Sequence, residues 1–383
     1  MNNPKHKYKI ISIIFLILSC SAQDRTITLS KELLGTMVTI SVISDQAAGA
    51  KAIHAAFDEI SRIERDLSIY RPESRLSNVN LKAYTKPVKV DNEVLDLIKL
   101  SVDISKKTGG AFDITFASMG KLWNYSSDEF IPPSEVAVKK ILPAFNYRNI
   151  LIDEDNKSIR FLNPLTKIGL GGIAKGYAVK RAVLVLKDFG IKNGIVACAG
   201  DIQVFGENRG KPWLLGIKHP REDSLIGTIN LKSDESISTS GDYERFKFYK
   251  GKRFHHIIDP KTGRPAESGL ISATIIGSDP VAGSDPVAGS DPIAGSDPVA
   301  GSDPIVISSD PVKGSDPIIG SDPSYADAYA TAIFVMGLNN SREFLMREKG
   351  ISVVLVDEDL TVYVSISLKD RVNIKEGFKI VFI

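Results

Sequence analysis

The sequence predicts an α+β fold, a single large domain in which strands and helices mix without a regular βαβ count. Three observations carry that expectation. Strand-like segments follow one another closely between Ile195 and Ile276, helical spacing of apolar residues marks four segments, and one low-complexity stretch interrupts the pattern. With 383 residues, 43% of them hydrophobic, the chain can bury a sizeable core. Lysine plus arginine number 48 against 46 aspartate plus glutamate, and no block of like charge could track a phosphate backbone. Nucleic acid is therefore excluded as a partner.

The first element, residues 1–19, is an export signal. Lys5, Lys7 and Lys9 precede the apolar run Ile10 to Leu18, which is too short to cross a bilayer as a mature helix. The run stops at Cys20, and Ile17-Leu18-Ser19-Cys20 resembles a bacterial lipobox, whose cysteine is acylated and becomes the new N-terminus. An ordinary signal peptide with an incidental cysteine is the competing reading. The expectation is an exported protein anchored by lipid (palmitate) on Cys20 at the extracytoplasmic, periplasmic side of a bacterial membrane, with residues 20–30 as a tether. Only Cys198 then remains in the mature chain, so no intrachain disulfide can form. Within the apolar run Ile195 to Ala199 it reads as a buried small hydrophobe rather than a nucleophile.

The domain itself is expected over 31–276 and 324–383. Alternation in Thr36 to Ile43 sets Val38, Ile40 and Val42 against Met37, Thr39 and Ser41, as in a half-buried strand. Ile53, Phe57, Ile60, Ile63 and Leu67 place one apolar stripe on a helix over Ala47 to Leu67. A second helix runs from Asn92 to Thr108 and ends at Gly109 and Gly110. A third opens from Gly169-Leu170-Gly171-Gly172, spans Ile173 to Phe189 and is closed by Gly190. Strands follow at Ile195 to Phe205, Trp213 to His219, Leu225 to Leu231, Ser236 to Ser240, Phe246 to Ile258 and Ser272 to Ile276. Residues 277–323 repeat Gly-Ser-Asp-Pro-(Val/Ile)-Ala with decay. Proline in every repeat would remove a ladder donor, and one small apolar pair per repeat buries too little to offset chain entropy, so a flexible insertion is expected rather than a β-helix. It leads into a fourth helix, Tyr325 to Gly337.

Three constellations bear chemistry. Asp327 and Thr331 stand four apart, on one face of the fourth helix, and both offer hard oxygen suited to Mg²⁺. An aspartate near a helix start is equally a cap or dipole partner. Gly169 to Tyr177 can present backbone N–H groups and a helix N-terminus to an anion, with Lys175 nearby. It has neither the Walker nor the dinucleotide-binding glycine spacing, and a tight helix start is its structural alternative. His255 and His256 adjoin the turn sequence Asp259-Pro260-Lys261-Thr262-Gly263. Adjacent residues of a strand face opposite ways, so only one of the two can face a given cleft.

The ordered set of motifs resembles the FAD:protein FMN transferases, also called the thiamine-biosynthesis lipoprotein family, over nearly the whole mature chain. It runs through Leu34-Gly35-Thr36-Met37, Ser68-Ile69-Tyr70, Ser74-x-x-Ser77-x-x-Asn80 and Gly110 to Thr115. It continues with Gly171 to Tyr177, Ala199 to Ile202, Ser238 to Arg245, His256 to Pro265 and Ala326 to Ala332. Lys180 stands where that family usually has an acidic residue, and the repeat occupies what is usually a brief connection.

The resemblance implies an enzyme that moves FMN from FAD to a threonine or serine of another protein and releases AMP. It implies Mg²⁺ held by Asp327, Thr331 and the carbonyl of Ala174, and an FAD site lined by Leu34, Tyr70, Ala111, Phe112, Asp113, Gly171, Tyr177 and the backbone near Ile258. His256 would deprotonate the attacking hydroxyl. The implied acceptor is an exported redox subunit. An FAD pyrophosphatase releasing free FMN and AMP would use the same residues, although Tyr70 favours transfer. A lipid-tethered FAD-binding protein without turnover is the alternative of another class, and it would need neither metal nor base.

Overall fold

The computed structural model describes residues 24–278 and 321–383. The export signal, Cys20 and nearly all of the repeat lie outside the described residues. In chain order the elements are β1 (Arg25–Leu33), β2 (Thr36–Ser44), α1 (Gln46–Leu67), α2 (Arg75–Lys82), β3 (Val88–Lys89), α3 (Asn92–Lys107) and α4 (Glu135–Ile141). Next come β4 (Ile150–Asp153), β5 (Ser158–Phe161), α5 (Ala174–Asp188), β6 (Gly194–Cys198), β7 (Asp201–Phe205), β8 (Trp213–Lys218), β9 (Leu225–Leu231) and β10 (Ser236–Gly241). The hairpins β11 (Phe246–Tyr249) with β12 (Lys252–His255) and β13 (Ile258–Asp259) with β14 (Arg264–Pro265) precede β15 (Leu270–Gly277). The chain ends with α6 (Pro323–Arg347), β16 (Ile351–Asp357), β17 (Val362–Val364), β18 (Val372–Ile374) and β19 (Ile380–Phe382).

Nine strands form the main sheet in the order β1-β2-β6-β7-β10-β15-β16-β17-β19, antiparallel except for the β17–β19 pair. Helices α1, α5 and α6 cover one face, and the β18-β9-β8 sheet covers the other. This is the α+β arrangement that the sequence predicts.

Local rules account for the elements. In β2, Val38, Ile40 and Val42 are fully buried while Met37 is 55% exposed, so the alternation selects the face turned to the helices. In α1, Ile53, Phe57, Ile60, Ile63 and Leu67 are all buried, and the Asp45 carboxylate caps the helix by accepting from the Ala47 and Ala48 N–H groups at 3.0 Å.

The structure corrects the sequence reading at four places. Residues 25–30, expected in the tether, belong to β1 and pair with β2. Ile195 to Phe205 is two strands, because Ala199 adopts a left-handed φ of 52° and reverses the chain. Phe246 to Ile258 is likewise broken, by a two-residue turn in which Lys250 and Gly251 both have positive φ, 48° and 77°, the geometry that matches strand twist. Apolar residues continue across the Ala199 turn, so alternation alone does not show it; Lys250-Gly251, flanked by Lys252 and Arg253, carries a glycine turn signal that a single long strand passes over. The fourth helix starts at Pro323 and runs past Gly337, where φ of 73° breaks it, to Arg347.

Candidate active site

Loops converge at one end of the main sheet. There β1 turns into β2 through Leu34 and Gly35, β6 turns into β7 through Ala199 and Gly200, and β10 ends at Gly241, as the registers Leu33↔Thr36, Val38↔Cys198 and Ser238↔Asp201 require. Leu34 itself has φ of 55°, a conformation costly for a side chain that bears a Cβ. Two residues apart along β10, Ser238 and Ser240 face the helices. Ser238 donates to the Asp201 carboxylate, and the Ser240 hydroxyl lies 3.3 Å from the Thr331 hydroxyl on α6.

The glycine loop before α5 is fixed from below and crowded from above. Asn80 grips Ile168, donating to its carbonyl and accepting from its N–H, both at 2.8 Å. Ser74 caps the short helix that carries Asn80. A Cβ at Gly169 would stand 3.1 Å from the Phe116 ring and 3.5 Å from Ile69, the residue before Tyr70. At Gly172 it would stand 3.1 Å from the Phe112 ring and 3.7 Å from the Thr331 hydroxyl. The Tyr70 loop, the Phe112 segment, the glycine loop and α6 are thus brought together.

At the crossing of α5 and α6, Asp327 is 2% exposed. Its carboxylate accepts from the Gly176 N–H at 3.1 Å and from the Lys175 ammonium at 3.2 Å, and Lys175 also pairs with Asp201. Burial, reinforced by the Asp201 charge, raises the pKa of Asp327, while Lys175 and the Gly176 N–H oppose the rise. Burial would lower the pKa of Lys175, but the two carboxylates outweigh it and raise it. Two carboxylates share one ammonium here. The formal excess of negative charge, next to the Thr331 hydroxyl and the first residue of α5, Ala174, fits a hard cation held by oxygen. Among the described residues no three His, Cys, Asp or Glu side chains gather as a metal cage, so a cation here relies on one carboxylate and neutral oxygens.

His256 is half-buried just beyond β12. Its backbone N–H donates to the Arg245 carbonyl at 3.0 Å, and its Nδ1 lies 3.2 Å from the same oxygen. A carbonyl can only accept, so Nδ1 carries the proton and Nε2 keeps its lone pair. Burial pulls the His256 pKa down to about 4, and the charges of Arg245, His255 and Lys175 add to the effect against the Arg245 carbonyl. His255 faces the other way, 7% exposed and edge-on to Phe334, with Nε2 3.0 Å from the Ala266 carbonyl. β12 ends at His255, so His256 stands in the bend that follows and its placement is set by the two contacts to the Arg245 carbonyl rather than by strand alternation.

The remaining expected residues are placed as follows. Tyr70 projects into solvent, 82% exposed. Gly171 is exposed at the loop. Ala111 and Phe112 are buried, and the Asp113 carboxylate turns inward, accepting from the Thr115 N–H at 2.8 Å, the Thr115 hydroxyl at 2.6 Å and the Tyr147 N–H at 2.6 Å. Tyr177 donates to Glu93 at 2.8 Å, within a network that joins Glu93 to Arg62 at 2.6 Å. Asp113 and Tyr177 therefore have their polar atoms engaged by protein, which leaves ring faces and backbone for a ligand. Ile258, in β13, packs against the aromatic cluster around Trp123.

Sequence reasoning gave no role to Asp201, Ser238 or Ser240. Their signal lay in the motif segments Ala199 to Ile202 and Ser238 to Arg245, but only strand pairing shows that both carboxylates meet Lys175.

Comparison with known proteins identifies the family. The family model of the ApbE family matches residues 34–290. The FAD:protein FMN transferase of Klebsiella pneumoniae is 30% identical over 260 residues, 67% of this chain and 79% of that protein. The FAD:protein FMN transferase of Treponema pallidum is 26% identical over 392 residues, 96% of this chain and 95% of that protein. A crystal structure of the ApbE protein of Thermotoga maritima aligns with a TM-score of 0.75 at 30% identity, covering 91% of this chain and 99% of that one. The flavin transferase ApbE of Vibrio cholerae, at 24% identity and a TM-score of 0.71, shares the fold. The family model and the relatives show that this chain belongs to the ApbE family.

Proposed function

We propose that the protein transfers the FMN half of FAD to a threonine or serine hydroxyl of an acceptor protein and releases AMP, with Mg²⁺. The observation that supports this most directly is the buried Asp327 carboxylate beside Thr331, at the N-terminus of the α5 helix that the glycine loop opens. A helix N-terminus and exposed glycine backbone suit a pyrophosphate. Asp327, Thr331 and the Ala174 carbonyl would hold Mg²⁺, which when bound supplies positive charge against the phosphate oxygens.

The chain's own groups have distinct tasks. Lys175 holds Asp201 and Asp327 together and keeps two carboxylates from repelling each other across the site. Nε2 of His256 takes the proton of the acceptor hydroxyl as its oxygen bonds to the FMN-side phosphorus, and the bond to AMP breaks. A pKa of about 4 keeps the imidazole neutral at pH 7, and the negative charge of a bound pyrophosphate would raise it toward a better base. Tyr70, with its ring exposed beside the glycine loop, offers a face to the isoalloxazine.

The acceptor is read as an exported redox protein, met at a membrane to which lipid on Cys20 tethers the enzyme. Incubation with FAD, Mg²⁺ and an acceptor domain, followed by acceptor mass and free FMN, tests the reaction. An acceptor heavier by one FMN supports transfer; free FMN without labelling makes the protein a pyrophosphatase, and unchanged FAD makes it a binder. Metabolic palmitate labelling that survives Cys20→Ala would remove the anchor.

A further inference from the structure

Asp201 and Asp327 are both 2% exposed, and Lys175 pairs with these two carboxylates and with no other among the described residues. The two acids are held differently. Asp201 opens β7 in the interior of the main sheet, where pairing with Cys198 on one side and Ser238 on the other fixes its backbone. Its Oδ1 accepts from the Ser238 hydroxyl and its Oδ2 from the Lys175 ammonium. Asp327 stands on α6, with Oδ2 accepting from the Gly176 N–H at 3.1 Å and Oδ1 from Lys175 at 3.2 Å. Thr331, one turn farther along α6, brings its hydroxyl to the glycine loop at Gly172.

A lysine ammonium is a point charge on a flexible stem, and the charges around it decide where it rests. A cation that uses the Asp327 carboxylate must share it with that ammonium, since both seek the same lone pairs and repel each other at short range. Asp201 acts against this competition. It lies on rigid sheet, cannot follow α6, and engages one of the donors of the ammonium. Lys175 is thereby kept between the acids instead of closing on Asp327 alone. Two carboxylates and one ammonium leave the cluster with a net negative charge, which a divalent cation reverses to the sign that suits a pyrophosphate.

We infer that Asp201 is a positioning residue which, acting through Lys175, keeps the Asp327 carboxylate available to a divalent cation; this rests on the metal site proposed above. Asp201 is the counter-ion of Lys175 and not a ligand of the metal, because Ser238 and Lys175 engage both of its oxygens. Without its charge the ammonium has Asp327 as its one remaining partner, and the carboxylate that a cation needs is neutralised from within the protein. Without the ammonium as well, the competition disappears. The role therefore predicts opposite effects on metal affinity from two neighbouring charges.

The test titrates Mn²⁺, a spectroscopic substitute for Mg²⁺, into the full chain in detergent with FAD present, and follows the paramagnetic resonance signal of the free aqueous ion. Asp201→Asn, whose amide oxygen can still accept from Ser238, should weaken Mn²⁺ binding about tenfold. Asp201→Asn combined with Lys175→Met should restore the wild-type affinity or exceed it, a gain that a merely structural role for Asp201 does not produce. A urea midpoint reports whether each variant folds. Should Asp201→Asn not fold, the double variant, which leaves no charge unpaired between positions 175 and 201, is compared directly with wild type. Wild-type affinity in Asp201→Asn overturns the proposal. So does a double variant about tenfold weaker than wild type, which would make Asp201 a ligand of the cation. No Mn²⁺ binding by wild type, or binding unchanged in Asp327→Asn, overturns the metal reading itself, and the two failures are thereby distinguished.

Discussion

Gly176 passes Pro323 so closely that a Cβ on residue 176 would stand 2.1 Å from the Pro323 carbonyl oxygen and 2.9 Å from the Ser324 nitrogen. Both are backbone atoms and cannot rotate away. The close crossing of α5 and α6 lets the Gly176 N–H reach Asp327.

Gly176→Ala is therefore expected to push the helices apart. Overpacking of this kind costs about 1–3 kcal/mol, and alanine's better helix propensity, worth up to about 1 kcal/mol, offsets part of it. Urea denaturation should show a lower midpoint with an unchanged slope, and FMN transfer should fall further than stability because Asp327 loses its N–H partner.

Asp327→Asn keeps the shape of the side chain and removes the charge that a cation would meet. Transfer should drop by about 100-fold or more, the loss typical of a removed electrostatic group. Titration calorimetry with Mg²⁺ and FAD should show metal binding abolished while FAD still binds. Full activity in Asp327→Asn would remove the metal role.

His256 gives the pH dependence a definite sign. Its folded pKa, about 4, lies below the 6.5 of a free histidine, so between those values the unfolded chain holds more protons. This contribution to stability is complete above pH 6.5 and is lost as pH falls toward 4; His255, also lowered chiefly by burial, acts in the same direction. Denaturation midpoints measured from pH 7 to 4 should fall, and less steeply in His256→Gln. The same variant should retain FAD and lose transfer.

Tyr70 is too exposed to hold the fold together. Tyr70→Ala should leave the melting temperature unchanged while weakening FAD binding about tenfold, as measured by flavin fluorescence, because one stacked aromatic ring contributes roughly 1–3 kcal/mol to a planar ligand. Unchanged FAD affinity would place the flavin elsewhere.

Much of the fold is visible in local patterns. The Val38, Ile40, Val42 alternation and the α1 stripe each correspond to a buried face, because period and burial are linked wherever an element packs on one side. The turn at Ala199 is not visible, since it places a non-glycine residue at positive φ within an apolar run; the turn at Lys250 and Gly251 does carry a glycine signal among charged residues, which one strand over Phe246 to Ile258 passes over. The C-terminal strands β16, β17 and β19 carry no chemical motif, and they are defined by pairing on the sheet beside β15.

For the candidate site the division is similar. Asp327 and Thr331 can be read together from a four-residue helical spacing, whereas the strand period expected for His255 and His256 stops at His255, because His256 lies in the bend beyond β12. Fold class, family motifs and the residue types suited to a cation and an anion are legible along the chain. That Asp201 and Asp327, 126 residues apart by their numbers, share the Lys175 ammonium, and that Ser240 meets Thr331, follows from long-range packing alone. Those contacts arise from strand order and from the crossing of α5 over α6. Local periodicity carries no information about either, because it records which face of an element is buried and not what it is buried against.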